Sequence, residues 1–263
     1  MKKTLKKGYA LKTHYVLYAI LFIYNHFIFA SQSPLCISLG SNCTAAFHLR
    51  NSNLRTFAYP FDWILSRDIH GLFKAIKSDF ERFFLKENLM DSGMAQIRDV
   101  PFNMFYLHDF PYHVIEKNGI KYSEIDANWL DHYPRIKEKY DRRIERFKQL
   151  KNSTETIYFF RYFYTTKAEA IVLKSLLDAY LFPIKSTLVV VGSTPEFKEK
   201  WHIADIKNFY FFASSWKEMT NNDHFIKLCA ELDLNITPNK MKVFDDESPL
   251  LLDYLFGDEI NGL

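Results

Sequence analysis

Four short apolar runs, spaced among amphipathic stretches, constrain this chain most. They are residues 35–39, "TIYFFRYF" (156–163), "STLVVVG" (186–192) and "NFYFFAS" (208–214). Each is brief, rich in β-branched and aromatic residues, and bounded by polar or glycine residues, as buried strands are. Helical periodicity fills the intervals at 43–51, 68–85, 135–151, 166–181 and 222–233. Strands that alternate with helices predict an α/β fold with a mainly parallel sheet flanked by helices. The clearest stripe lies in "RIKEKYDRRIERFKQL", where Ile136, Tyr140, Ile144, Phe147 and Leu150 share one helical face. Glu138 and Arg142 form a favourable i,i+4 pair there, and Thr166 with Glu169 has the spacing of a capping box. Residues 86–134 show little periodicity and read as a loop-rich excursion, a common place for substrate-handling side chains.

The N-terminal residues have another character. Lys2, Lys3, Lys6, Lys7 and Lys12 precede "YVLYAILFIYNHFIFA" (15–30), which has the length of a signal core and is short for a membrane span. Small residues at Ala30, Ser31 and Ser33 suit cleavage. The expected division is a signal peptide or signal anchor over 1–33 and one domain over 34–263. The domain is then expected to be exported (periplasmic or secreted) after cleavage or otherwise membrane-anchored, and transient N-terminal membrane association is an expectation of the same reading. Removing those five lysines from 34 basic residues leaves 29 against 31 acidic ones, so the basic pI belongs to the N-terminus and no nucleic-acid partner is expected.

Chemistry concentrates at "CISLGSNC". Gly40-Ser41-Asn42 turns the chain from strand to helix and sets Cys43 on the first helical turn, at the carboxyl end of a strand. Unpaired N–H groups and the positive end of the helix dipole favour thiolate there, and the same N–H groups suit a developing oxyanion. The plainer role is a buried small hydrophobe. A nucleophilic thiol needs a base. His48 lies five residues along the same helix and points away. His108 and His113 sit in the loop-rich region, and His202 and His224 follow predicted strands. In "YPFDW", Asp62 is a carboxylate among apolar anchors, suited to capping, to orienting a histidine or to supporting the Cys43 loop. Three cysteines, Cys36, Cys43 and Cys229, leave an odd thiol if two pair. No metal-ligand spacing and no nucleotide-binding glycine motif occurs, so neither metal nor cofactor is expected.

In order, "SLGSNC" (38–43), "LRTFAYPFDW" (54–63), "HDF" (108–110) and "EKYDRRIERF" (138–147) resemble a bacterial family of papain-like cysteine peptidases, the domain-of-unknown-function 1796 family. The resemblance runs from about residue 36 to at least 163 and is weaker beyond. It implies Cys43 as nucleophile, His108 as general base and Asp62 or Asp109 as orienting carboxylates; Ser41, Asn42 and Trp63 are the expected substrate-binding residues. The implied activity is peptide or amide hydrolysis through an acyl-enzyme. The chain departs from the papain pattern in lacking a glutamine just before Cys43 and the "CGSCW" run. Two other readings stand beside it. One is a glycosyltransferase-like or carbohydrate-processing protein, using the basic helix and Asp245–Glu247. The other is a non-catalytic exported binding protein with a structural Cys43.

Overall fold

The computed structural model of the chain describes residues 34–236. The signal-like segment, with His14 and His26, and the acidic triplet Asp245–Glu247 lie outside the described residues. The principal sheet takes β1 (Leu35–Ser38), β8 (Ile157–Tyr162), β9 (Ser186–Gly192) and β10 (Ile206–Tyr210) in that order. Every pairing in it is parallel, as the alternation of strand and helix predicts. Successive side chains of a strand face opposite ways, and the two faces build separate cores. Ile37, Phe159, Leu188 and Val190 join one cluster; Phe160, Tyr162, Val189 and Val191 join the other. Central strands buried on both faces explain the unbroken apolar runs that mark them in the sequence.

Helices cover both faces. α1 (Thr44–Asn51) follows β1, and with α6 (Asp223–Glu231) it closes the second core through Ala45, Leu49, Phe225 and Leu228. The first core is covered by α2 (Ile69–Lys77), α3 (Tyr133–Gln149) and α4 (Lys167–Leu181). On α3 the predicted stripe is the buried face: Ile136, Tyr140, Ile144 and Phe147 are all buried, and Leu150 follows them inward. The capping box of α4 is complete: Thr166 Oγ1 accepts from Glu169 N–H and the Glu169 carboxylate accepts from Thr166 N–H. A last short helix, α5 (Trp216–Met219), precedes α6.

Besides β10, which spans 206–210 rather than the expected 208–214, two segments differ from the sequence expectation. The helix predicted over 68–85 ends at Lys77, and Asp79, Phe80, Arg82 and Phe84 take left-handed φ values of 52°, 64°, 63° and 56°. This irregular path turns Phe80, Phe83 and Phe84 into the aromatic core. Phe80 lies 5.3 Å from Phe147, and Phe84 lies 4.4 Å from Tyr140, ring centre to ring centre. The stretch 86–134 holds structure of its own. β2 (Ile64–Leu65), β5 (Met104–Tyr106), β4 (Ile97–Asp99) and β3 (Leu89–Asp91) form an antiparallel sheet in that order, and β6 (Tyr112–Lys117) with β7 (Ile120–Ile125) forms a hairpin.

Candidate functional site

The segment after β1 is held from three sides. Gly40 and Ser41 adopt left-handed φ values of 73° and 76°, turning the chain sharply out of the strand. A Cβ at Gly40 would stand 3.1 Å from both Phe61 O and Ser66 Oγ, so the glycine also lets the "PFDW" backbone approach. Ser41 N–H donates to Ser66 Oγ at 3.0 Å, and Ser66 N–H returns a bond to Ser41 O at 3.0 Å. The Ser41 hydroxyl donates to Tyr162 O at the end of β8. Asn42 Oδ1 accepts from Thr44 N–H at 3.0 Å, so one of the N–H groups expected to await an oxyanion is already satisfied. Ser41 and Asn42 are thus buried side chains that fasten the turn.

Cys43 is the N-cap of α1, where the sequence predicts a helix start. Its sulfur environment is the reverse of the one expected. The residue is 4% exposed. Burial pushes its thiol up to about 12, opposed only by its own backbone N–H. Burial likewise raises the Cys36 thiol and brings Cys229 to about 12; all three cysteines are free. Magnitudes explain the reversal. A helix terminus contributes about 0.3–1 kcal/mol. A rise from 9 to about 12 corresponds to roughly 4 kcal/mol in favour of the protonated form.

Beneath this turn lies a residue that sequence reasoning passed over. Arg161, on β8, is fully buried, and its guanidinium grips neutral oxygens only. Nη1 donates to Leu39 O at 2.9 Å and Ser66 Oγ at 3.3 Å, Nη2 to Ser66 O at 2.7 Å, and Nε to Thr165 Oγ1 at 2.7 Å. Burial lowers its pKa to about 9, which leaves it charged at neutral pH. The signal was present: a single arginine inside the otherwise apolar and aromatic "TIYFFRYF".

The other motif residues meet one another. Asp62 is fully buried and accepts from Arg55 Nη1 at 2.7 Å and, at 3.4 Å, from Tyr59 N–H. Burial raises its pKa against the pull of Arg55 and Arg143. Asp62 Oδ1 and Arg143 Nη1 are both buried without a hydrogen-bond partner. Asp109 is claimed on both oxygens by α3, through Lys139 Nζ and through Tyr140 Oη at 2.6 Å. Neither carboxylate holds a histidine. His108 is exposed and stands edge-on to the half-buried Trp63 ring, 5.9 Å between centres. Its surroundings lower its pKa chiefly by desolvation. Arg50 and Arg55 lie 4.9 and 5.9 Å from the same Trp63 ring. Cys43 Sγ makes no hydrogen bond to an imidazole among the described residues, so Cys43 and His108 do not form a hydrogen-bonded dyad in this conformation.

Three other histidines have partners elsewhere. His48 is buried, with Nε2 2.8 Å from Met219 O and Nδ1 2.9 Å from the Asn222 side-chain amide. His224 stacks on Phe211 and lies 4.7 Å from the His48 ring. Desolvation lowers these two to about 4 and about 3, so both are neutral at physiological pH. His113 pairs with Asp126 on the hairpin. Among the described residues no cluster of histidine, cysteine, aspartate or glutamate could hold a metal ion, and no helix is long and apolar enough to cross a membrane.

With these contacts in place, the comparisons with known proteins are specific. Residues 35–182 match the family described as "Putative papain-like cysteine peptidase (DUF1796)". The chain is also similar to an uncharacterized protein of Acanthamoeba polyphaga mimivirus, a viral relative. It is 27% identical over 150 residues, which cover 50% of this chain and 62% of the relative. The chain therefore spans less than two thirds of that protein's length. No solved structure matches.

Proposed function

The chain belongs to the DUF1796 family, and on that premise we propose that it is a cysteine-nucleophile hydrolase acting on a peptide or amide bond. The observation that carries the reading is the position of Cys43: the head of α1, at the carboxyl end of β1, on a turn built from two left-handed residues. Ligands of open α/β sheets bind at strand carboxyl ends, and backbone held in left-handed conformations is concentrated at functional sites. The family description supports the same chemistry.

In the proposed reaction a histidine removes the thiol proton, and the sulfur adds to the substrate carbonyl carbon. Collapse of the adduct breaks the C–N bond; the imidazolium protonates the departing amine and a thioester remains. The imidazole then takes a proton from water, whose oxygen attacks the thioester carbonyl, releasing the carboxylic acid and restoring the thiol. His108 is the proposed base, because it is exposed, whereas His48 and His224 are bound to other partners. The buried, protonated sulfur means that the turn Gly40–Asn42 must open for the thiol to meet His108.

The same buried sulfur favours one other reading, a non-catalytic binding protein in which Cys43 packs as a small apolar residue. Modification by iodoacetamide and turnover of a peptide and amide library separate the two. The hydrolase reading expects Cys43 to be alkylated ahead of Cys36 and Cys229, and Cys43→Ala to abolish turnover. Hydrolysis that persists in Cys43→Ala refutes it, as does alkylation of Cys43 no faster than of Cys36.

A further inference from the structure

A cavity of about 530 Å³ opens at the carboxyl ends of three parallel strands. Its volume is within the ~300–1,000 Å³ usual for small-molecule sites. The walls come from the loops that leave β8, β9 and β10 and from the start of α4. Two bonds tie it to the thiol segment. The Ser41 hydroxyl holds the carbonyl of Tyr162, one residue before the wall residue Phe163. On α1, the helix that Cys43 caps, His48 bonds the carbonyl of Met219, itself a wall residue.

The wall chemistry selects a ligand class. Tyr164, Phe197, Phe212 and Met219 supply apolar surface, and Phe212 is 58% exposed at the rim. Among the described residues the charged lining ones are Glu169 and Glu196, with no lysine or arginine. Glu169 is committed to the capping box, its Oε2 accepting from the backbone and hydroxyl of Thr166. Glu196 has one side-chain contact, the Lys167 N–H at 3.4 Å from Oε2. The nearby cations are turned to other tasks. Arg161 lies behind Thr165 with its donors on neutral oxygens, and Arg67 stacks on Tyr164 at 5.4 Å. An anionic ligand would meet no cation on the wall, and a purely alkyl ligand would desolvate the Glu196 carboxylate without replacing its water. A cation on an alkyl stem satisfies both surfaces.

Resting on the hydrolase reading, we propose that this cavity is the substrate side-chain site and takes a lysine- or arginine-like residue, with Glu196 meeting its cationic end. The test measures binding rather than turnover, so that it stands apart from the Cys43 experiment. N-acetyl-L-arginine amide and N-acetyl-L-norleucine amide are titrated into the full chain by calorimetry. The arginine probe is expected to bind about tenfold more tightly. Glu196→Gln, a change at an exposed position, should remove that preference without lowering the melting temperature, while Cys43→Ala should keep it. Equal affinity for the two probes, or a preference that survives Glu196→Gln, overturns the proposal. A preference that holds while Cys43→Ala remains hydrolytic overturns the hydrolase reading and leaves the cavity's ligand class in place.

Discussion

Replacing Arg55 by methionine tests the link between the "PFDW" segment and its surroundings. Arg55 is 13% exposed at its side chain, whereas its partner Asp62 is fully buried. Without Arg55 the carboxylate keeps one weak bond, from Tyr59 N–H at 3.4 Å, and Oδ1 still has no partner. Removing one member of a buried pair costs about 3–5 kcal/mol, mostly because a charge is left uncompensated. For a domain of this size each kcal/mol lowers the melting temperature by about 2–4 °C, so the loss should be roughly 6–20 °C. Asp62→Asn removes the charge and leaves Arg55 able to reach water, at about 1–2 kcal/mol. The double variant should therefore be more stable than Arg55→Met alone. The sign of the pH dependence follows from burial, which already raises the Asp62 pKa with Arg55 present. In Arg55→Met the folded state holds a proton that the unfolded state releases, so stability falls as pH rises through and above the ordinary carboxylate range. Urea unfolding at pH 4.5 and pH 8 should show a wider gap between wild type and Arg55→Met at pH 8. A loss below about 1 kcal/mol, a pH-independent gap or additive single and double variants would refute this account of the buried pair.

Two further outcomes follow from the same geometry. His48, lowered from 6.5 to about 4, favours the neutral form in the fold, so its contribution is full above pH 6.5 and is lost as pH falls towards 4. The loss is about 3 kcal/mol, measurable as the part of the acid destabilisation missing from His48→Gln. Gly40→Ala places a Cβ on a left-handed backbone 3.1 Å from Phe61 O, and should cost about 1–3 kcal/mol in chemical denaturation; an unchanged midpoint would mean that the turn is free to rearrange.

The parallel half of the fold was legible because its signals are local. β9 matches its predicted limits, and the α3 stripe and the Thr166–Glu169 box are where periodicity and spacing put them. The antiparallel half was not legible, for physical reasons. β3, β4 and β5 have three residues each, too few to display alternation, and their pairing depends on distant partners. The hairpin β6–β7 is exposed on both faces over most of its length, so no apolar period marks it. Its turn did carry a signal, Asn118-Gly119, whose φ values of 55° and 75° suit the tight hairpin turns favoured by that pair. At the site, residue positions were legible and environments were not. Sequence put Cys43 at a helix start, but burial depends on what the rest of the chain lays over it. Asp109 stands beside His108 in sequence, yet both its oxygens turn to α3.

Arg161 gives the region a mechanical property. One guanidinium fastens Leu39, Ser66 and Thr165, which belong to three stretches far apart in the chain. Leu39 leads into the Cys43 turn, Ser66 closes the "PFDW" segment, and Thr165 is part of the cavity wall. Because the three share one cation, a displacement that drags the guanidinium is felt at all of them. Thermodynamic reciprocity then applies: whatever strain a guest at Thr165 imposes on the thiol turn, opening of that turn imposes on the guest. One buried charge thus links the thiol turn to the cavity wall.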